Sequence, residues 1–297
     1  MVSPQARRQG IRYLAHKRAV SQRHACQLVG IVRSSARYQP RRKPDEAALR
    51  AHIRRLADRH KAYGCPRITA LLRREGMLVN KKRVHRIWKA EGLQVPRRRP
   101  RRRRRGPKGE VIRKAQHINH VWTYDFLEDR TERGGVLRIL TVLDEFTRES
   151  LAILVGRSIP AAKVIDTLEW LALVRGLPAY IRSDNGPEFV AKEVQQWLKE
   201  KYCKTIYIEP GSPWEIPYIE SFNGKLRGEC LNRYAFVDGR EAQEIVETWR
   251  EEYNQFRPHS SLDYQTPVEF ATSLAGQAGA SDIDSLELQA VPVTLSP

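Results

Sequence analysis

The sequence predicts an α/β domain preceded by small all-helical modules, and three observations lead to this fold class. Between residues 20 and 95, apolar residues recur at helical spacing in short segments that Gly and Pro interrupt. After residue 117, runs of four to eight apolar, β-branched residues alternate with loops and amphipathic helices. The third observation is the charge distribution: residues 1–116 hold 35 basic and 6 acidic side chains, whereas residues 117–297 hold 18 and 28.

The net charge of +19 and the pI near 10.1 favour a polyanionic partner. Basic side chains that neutralise phosphates release condensed counterions, so nucleic acid is the partner that this composition indicates. The longest strongly apolar stretch, residues 151–155, is far shorter than the roughly 18 residues that a membrane span needs. The first twenty residues are rich in Arg and carry no apolar core, so they are no secretory signal. We expect a cytoplasmic protein that is not bound to a membrane.

The cysteine and histidine pattern does not predict a zinc site. Cys26, Cys65, Cys203 and Cys230 are scattered without a CxxC pair, and the HxxH pair at 117–120 has no second pair at metal-site spacing. We expect the cysteines to be buried free thiols.

Two helical modules are predicted in the front half. In the first, residues 1–40, a helix follows Ser21 as a candidate N-cap and stops at Gly30, and a second helix begins near Ser34. In the second, residues 41–95, one helix after Asp45 places apolar residues at i, i+4 and i+7, and another follows Pro66. Their apolar faces consist of Leu49, Ile53, Leu56, Ile68, Leu71 and Leu72.

A third helix of this module follows Asn80 and is the candidate DNA-recognition helix. Val84, Ile87 and Trp88 share its apolar face, and basic side chains cover much of the remainder. An exposed surface helix with ordinary lysines is the alternative interpretation. The candidate DNA contacts are Lys81, Lys82, Arg83, Arg86 and Lys89.

Residues 96–116 are predicted to link the helical modules to the α/β domain. A block of eight arginines interrupted by Pro100 repels itself too strongly to fold, and it either follows DNA phosphates or serves as an inert spacer. We favour contact with DNA by Arg97, Arg98, Arg99, Arg101, Arg102, Arg103, Arg104 and Arg105.

Residues 117–271 form the predicted α/β domain, and residues 272–297, small and polar, form a flexible tail. Three consecutive strands are expected first, followed by a helix, a strand, a second helix and a fifth strand. The strands are predicted at 121–128, 136–147, 150–157, 179–185 and 204–209. The first helix spans about 160–175, and the second buries Val190, Val194, Trp197 and Leu198. A later helix carries Ile245, Trp249, Tyr253 and Phe256 on one apolar stripe.

Three acids stand out because of their positions in these elements. Asp125 introduces a charge into a strand that otherwise buries apolar groups. Asp184 stands at the C-terminal end of a strand, where open α/β sheets place their ligands. Glu220 lies on a helix, on one face with Gly224 and Arg227, where an acid, a gap and a cation permit close approach of a phosphate backbone. Three carboxylates at one sheet edge could hold two Mg²⁺ ions for phosphoryl transfer.

Four segments carry a resemblance to a known family: VWTYDF, SDNGPEF, GSPWEIPYIESFNGKLRGECLN and YNQFRPHSSLDYQTPVEF. With 35 residues between Asp184 and Glu220, the chain resembles the second-reading-frame transposases of the insertion-sequence-three family, over roughly residues 20–271. The family shares the ribonuclease-H-like core of retroviral integrases, a mixed five-stranded sheet with helices. The resemblance therefore implies this catalytic core behind helix-turn-helix modules.

The resemblance also implies a function and a site. Asp125, Asp184 and Glu220 would bind two Mg²⁺ ions, for which Mn²⁺ would substitute, and Lys225 and Arg227 would contact DNA. The activity would be cleavage of insertion-sequence ends and strand transfer into target DNA by a homo-oligomer assembled on double-stranded DNA. An upstream-frame protein or a fusion with it would be a further partner.

Some residues depart from the family pattern and leave alternatives open. Ile216 and Pro217 stand where the family has Asn followed by Gly or Ala, Asp263 replaces a Gly, and Cys65 and Pro66 replace an aromatic and basic pair. These departures motivate a second hypothesis, a catalytically impaired DNA-binding remnant or regulator. A ribonuclease acting on RNA:DNA hybrids is a third, although it would not need the basic helical modules.

Overall fold

A computed structural model of the chain describes residues 4–38, 44–95, 114–183, 192–207 and 217–274. The chain divides into two compact units, Met1–Arg54 and Arg55–Pro297. Both units are helical at first, and the sheet belongs entirely to the second. The domain boundaries predicted from the sequence stay predictions.

The first unit contains three short helices and the beginning of a fourth. Ser21 Oγ accepts a hydrogen bond from His24 N at 3.3 Å, and Gly30 ends the second helix in the left-handed conformation (φ 65°). Both predicted end signals are therefore confirmed. The first helix was not predicted, because Ile11 is its one buried residue within the described part of the chain and leaves no apolar periodicity. The helices are α1 (Pro4–Lys17), α2 (Gln22–Val29), α3 (Arg33–Arg37) and α4 (Glu46–Arg59).

After the end of α4, the second unit contains two more helices of the predicted recognition module, α5 (Cys65–Arg74) and α6 (Lys81–Ala90). Asn80 Oδ1 accepts a hydrogen bond from Lys82 N at 2.8 Å, which confirms the predicted cap of α6. The predicted apolar face of α6 is buried as a whole. On α5, Ile68 and Leu72 are fully buried, but Leu71 is only half-buried.

A five-stranded mixed sheet follows, and its strand order is β3-β2-β1-β4-β5. The three consecutive strands pair antiparallel, and β1 pairs parallel with β4, which pairs parallel with β5. This topology is the predicted ribonuclease-H-like arrangement. The strands are β1 (Val121–Arg130), β2 (Val136–Asp144), β3 (Ser150–Gly156), β4 (Tyr180–Ser183) and β5 (Lys204–Tyr207).

The second strand is shorter than predicted because an acid ends it. Asp144 Oδ1 accepts hydrogen bonds from Phe146 N at 2.7 Å and Thr147 N at 3.0 Å. Such side-chain bonds to nearby backbone amides favour a turn over a continued ladder. The turn between β2 and β3 therefore begins three residues earlier than the apolar run indicates.

Helices cover both faces of the sheet, and successive strand residues point to opposite layers. Leu140 and Val142 pack with one pair of helices, whereas Leu137 and Ile139 pack with the other pair. The first pair is α7 (Ala161–Arg175) and α8 (Lys192–Glu200), and the second is α9 (Pro217–Glu229) and α10 (Gly239–Gln255). Thr123 and Asp125 therefore belong to the face that α9 covers.

The predicted apolar stripe of α10 is wrong at its end. Trp249 and Tyr253 are buried, but Phe256 is 62% exposed because the helix ends one residue earlier, at Gln255. The next turn then leaves the helix axis, so helical spacing no longer applies.

The four cysteines are buried and free, as predicted. Among the described residues, no helix is both long and apolar enough to cross a membrane. Val190, Trp214 and the predicted tail lie outside the described residues, apart from residues 272–274, which continue a helical stretch that begins at residue 267.

Candidate active site

Asp125 lies in the middle of β1 and is half-buried. Its Oδ1 accepts a hydrogen bond from Phe126 N at 2.8 Å, and its Oδ2 accepts one from Asn223 Nδ2 at 2.7 Å. Amide donors orient a carboxylate without cancelling its charge. The sheet thus presents an oriented anionic oxygen pair toward α9.

Asn223 connects three elements at this point. Its amide oxygen lies 3.0 Å from the Thr141 hydroxyl on β2, which pairs directly with Asp125 across the ladder. The Thr141 hydroxyl also lies 3.1 Å from the carbonyl oxygen of Asp125, and its single proton can be donated to one acceptor at a time. Asn223 is 5% exposed, so these bonds are made away from bulk water.

Glu220 stands one helical turn before Asn223 on α9. Residues three apart share a helix face, so Glu220 lies on the same flank of α9 as the amide that contacts Asp125. Its side chain is exposed, and no hydrogen bond or ion pair joins it to another residue in the described ranges. Pro217 is the first residue of α9, a position where the missing N–H costs nothing, so this departure from the family pattern does not disturb the helix.

Asp184 lies outside the described residues. The strand that leads to it is described up to Ser183, which is 2% exposed, and its neighbour Arg182 pairs with Thr123 of β1. Within the described part of the chain, no group of three His, Cys, Asp or Glu residues stands ready to hold a metal ion.

The two basic residues predicted on α9 have different surroundings. Arg227 is exposed, and its Nη2 donates a hydrogen bond to the carbonyl oxygen of Glu128 at 3.1 Å, three residues after Asp125 on β1. Lys225 is half-buried, and its Nζ lies 3.1 Å from Ser221 Oγ. The helix therefore follows β1, with Asn223 and Arg227 as its polar attachments.

The basic residues predicted on α6 are mostly accessible. Lys81, Lys82, Arg86 and Lys89 are exposed, whereas Arg83 is half-buried. Lys82, Arg86 and Lys89 fall at i, i+4 and i+7, so they form one stripe on the helix surface. The eight arginines at 97–105 lie outside the described residues.

Two buried polar groups near the site were missed by sequence reasoning. Asn223 carries no sequence signal except its position three residues after Glu220. The other is an ion pair between Arg182 and Glu145, whose Nε and Oε1 lie 3.2 Å apart without hydrogen-bond alignment. Burial raises the pKa of Glu145 to about 7, although Arg182 and Arg148 oppose this shift.

Three polar residues at the end of α10 and just after it are buried. Asn254 bonds the backbone N and O of Ser150, both at 2.9 Å. Arg257 pairs with Glu229 through two hydrogen bonds of 2.8 and 2.5 Å. His259 is 3% exposed.

Comparison with known protein families gives three matches along the chain. An HTH-like domain matches residues 43–101, and two integrase core domain families match residues 115–213 and 201–267. The first match contains α5 and α6, and the other two contain the sheet and α9. The candidate acids Asp125, Asp184 and Glu220 all fall within the integrase core matches.

The chain is similar to proteins of insertion elements. It is 38% identical to the 39.2 kDa protein of insertion element IS476 from Xanthomonas euvesicatoria, over 93% of this chain and 80% of that protein. It is also 38% identical to the 31.7 kDa protein of IS407 from Burkholderia multivorans, over 88% and 94%. The transposase InsD of insertion element IS2 from Escherichia coli is 27% identical over 83% and 85%.

Among solved structures, the chain is similar to the intasome of simian T-cell lymphotropic virus, with a TM-score of 0.48, 18% identity and 74% of each chain covered. The HTLV-2 integrase catalytic core, solved in complex with magnesium, gives a TM-score of 0.40 at 17% identity, over 52% of this chain and 97% of that chain.

Proposed function

Because the chain belongs to the insertion-sequence-three family of transposases, with an integrase core and an HTH-like domain, we propose that it cleaves the ends of its insertion sequence and joins them to target DNA. The observation that carries the proposal is the Asn223–Asp125 hydrogen bond of 2.7 Å. It ties the helix of Glu220 to the strand of Asp125, which supports a shared site for these two carboxylates that are distant in sequence.

Asp184 is proposed as the third acid, and chain connectivity supports it. In the sequence, Asp184 directly follows Ser183, the last described residue of β4. Ser183 ends β4, the parallel neighbour of β1. Arg182 of β4 pairs with Thr123, two residues before Asp125, and this supports the choice of Asp184, which comes two residues after Arg182 in the sequence.

The donor set fits magnesium. Asp125, Asp184 and Glu220 offer only carboxylate oxygens, which Mg²⁺ and Mn²⁺ prefer, and no imidazole or thiolate that would favour zinc. When bound, two such ions would polarise the phosphodiester and stabilise charge on the attacking and leaving oxygens.

The chain's own groups would position these ligands and the DNA. Asn223 and the amide of Phe126 hold the Asp125 carboxylate in one orientation. Glu220 reaches solvent from the exposed flank of α9, where Gly224 leaves room for a phosphate backbone. Arg227 fixes α9 on β1 through one nitrogen and keeps further N–H groups to contact DNA. The exposed basic stripe of α6 and the arginines at 97–105 would bind double-stranded DNA through its phosphates.

The first prediction concerns Glu220. Glu220→Gln should lower the yield of joined product by more than the roughly 10- to 100-fold that loss of an outer-shell partner costs, because a metal ligand itself is removed. Strand transfer is measured with element-end duplexes and Mg²⁺. Glu193→Gln, an exposed acid on α8, is the matched control and should join DNA like the wild type. Undiminished joining by Glu220→Gln would remove it from the site.

The impaired-transposase hypothesis predicts that the wild-type chain itself binds end DNA but neither cleaves nor joins it. A ribonuclease would cleave RNA:DNA hybrids in preference to duplex ends. The same gel assay, with hybrid and duplex substrates side by side, separates the three functions.

A further inference from the structure

Five basic side chains from four parts of the chain gather at α9, and we refer to them as the basic cluster. Burial is the main cause that lowers the pKa of His259. Four nearby cationic side chains lower it further: Arg257, Lys225, Arg67 and Arg148. Burial and, after it, the same three arginines lower the pKa of Lys225 to about 7. The members of the cluster are Arg67 on α5, Arg148 in the β2–β3 turn, Lys225 on α9, and Arg257 and His259 after α10.

Arg257 is a buried member of this cluster, and several contacts hold its side chain in place. It is 1% exposed, and Glu229 binds two of its nitrogens. Its guanidinium carbon also lies 5.7 Å from the ring centre of Tyr63 and 5.6 Å from that of Tyr253. These contacts fix the direction of its third nitrogen, Nη1.

His259 and Arg148 are held in a similar way. The ring of His259 packs edge-on against Tyr253 at 4.7 Å between centroids. The guanidinium carbon of Arg148 lies 3.5 Å from the ring centre of Tyr218, and its backbone is in the left-handed conformation (φ 64°). A tight turn thus presents the guanidinium of Arg148, and the segment after α10 presents the side chains of Arg257 and His259.

Three buried nitrogen atoms of the cluster have no hydrogen-bond partner among the described residues. They are Arg148 Nη1, Arg257 Nη1 and His259 Nε2. Folded proteins pair the large majority of such buried groups, with protein, water or a ligand. Three orphaned nitrogens from two separate segments therefore indicate a ligand that carries several oxygens.

The charges of the cluster are also unbalanced. The groups that act most on Lys225 are three arginines and a single carboxylate, that of Glu229. Glu229 is already engaged by Arg257. A half-buried excess of positive charge is costly unless an anion approaches it, and a phosphate supplies both the charge and the acceptors.

We propose that the basic cluster binds one backbone phosphate of the DNA, separate from the phosphodiester that reacts. This inference rests on the proposed function, because it takes DNA to lie over α9. At about 100° per residue, Lys225 is roughly 140° around the helix from Glu220, so the two sites lie on opposite flanks of α9. One helix diameter, about 10 Å, then separates the two sites.

The inference is tested by thermal unfolding of the full chain with inorganic phosphate at constant ionic strength. Phosphate should raise the unfolding midpoint of the wild type and of Lys225→Arg, because a ligand that binds the folded state stabilises it. Lys225→Met should lose most of this rise. Lys199→Met, the same change at an exposed lysine of α8, should keep it. Equal responses of Lys225→Met and Lys199→Met would overturn the proposal.

A second measurement distinguishes DNA from free phosphate as the occupant. The affinity for a mixed-sequence duplex is measured against salt concentration, and Lys225→Met should reduce the logarithmic slope by about one unit relative to Lys199→Met. A phosphate-dependent midpoint with an unchanged slope would show a site for free phosphate and contradict the proposal. Neither readout needs catalysis. Failure of strand transfer with both effects intact would therefore count against the proposed function alone.

Discussion

At the scale of single residues, an acid becomes a dependable metal ligand when neighbouring groups hold its carboxylate in one orientation. Asp125 meets this condition because the amide of Asn223 on α9 and the backbone amide of Phe126 each donate to one of its oxygens. Asn223 is itself held by the Thr141 hydroxyl. Asn223 is therefore a positioning residue that acts through Asp125.

Replacing Asn223 tests this role. Asn223→Ala should raise the Mg²⁺ concentration needed for half-maximal strand transfer by about 10- to 100-fold, because outer-shell partners tune metal affinity to this extent. Magnesium titration of the joining reaction is the measurement. A merely structural role would instead lower the yield at every magnesium concentration and leave the half-maximal concentration unchanged. The control is Ser221→Ala, an exposed residue of α9 whose hydroxyl lies next to Lys225 and not next to Asp125.

At the scale of elements, α9 and α6 each have an apolar face that is buried and polar residues on the rest of the surface. Burial of Ile219, Phe222 and Leu226 fixes α9 on the sheet, so its polar flanks have set directions. In α6, burial of its three apolar residues leaves the stripe of Lys82, Arg86 and Lys89 facing solvent. Packing thus decides which basic residues can reach a phosphate.

The stripe on α6 yields a prediction about DNA binding. Lys82→Met and Lys89→Met should each reduce the slope of log affinity against log salt by about one unit, because each removes one phosphate contact. A binding titration on a mixed-sequence duplex at several salt concentrations measures this slope. The exposed-lysine control Lys199→Met should leave it unchanged. If all three variants behave alike, α6 is an ordinary surface helix.

At the scale of the whole molecule, a buried acid links stability to pH. The folded-state pKa of Glu145, about 7, lies above the ordinary 4.5, so the folded chain holds this proton more tightly than the unfolded chain. The stability that Glu145 contributes is fully present below about pH 4.5 and is lost as the pH rises through about 7.

This linkage is measured by urea unfolding of the wild type and Glu145→Gln between about pH 5 and pH 8.5. The free energy of unfolding of the wild type, relative to that of the variant, should fall across this range, because only the wild type acquires a buried charge. The exposed-acid control Glu193→Gln should show no such trend relative to the wild type. If the free energies of unfolding of the wild type and Glu145→Gln differed by the same amount at every pH, the raised pKa of Glu145 would be contradicted.

Much of the architecture was predictable because it depends on local periodicity. The alternation of apolar residues gave the three consecutive strands, and caps such as Ser21 and Asn80 gave the starts of α2 and α6. Boundaries were less predictable where a side chain bonds the backbone, as Asp144 does at the end of β2. Phe256 was misassigned because helical spacing does not reveal where a helix stops.

The sequence by itself determined the order of the elements, the polarity of charge between the two parts of the chain, and the acids worth testing. These properties follow from residue types and their spacing along one chain. Tertiary structure alone decided that Asn223 meets Asp125, 98 positions away, and that basic groups from α5, the β2–β3 turn, α9 and the segment after α10 gather in one place. Contacts of this kind depend on how helix and sheet faces pack in three dimensions. The spacing of residues along the chain does not give the distance between residues that are far apart in the sequence.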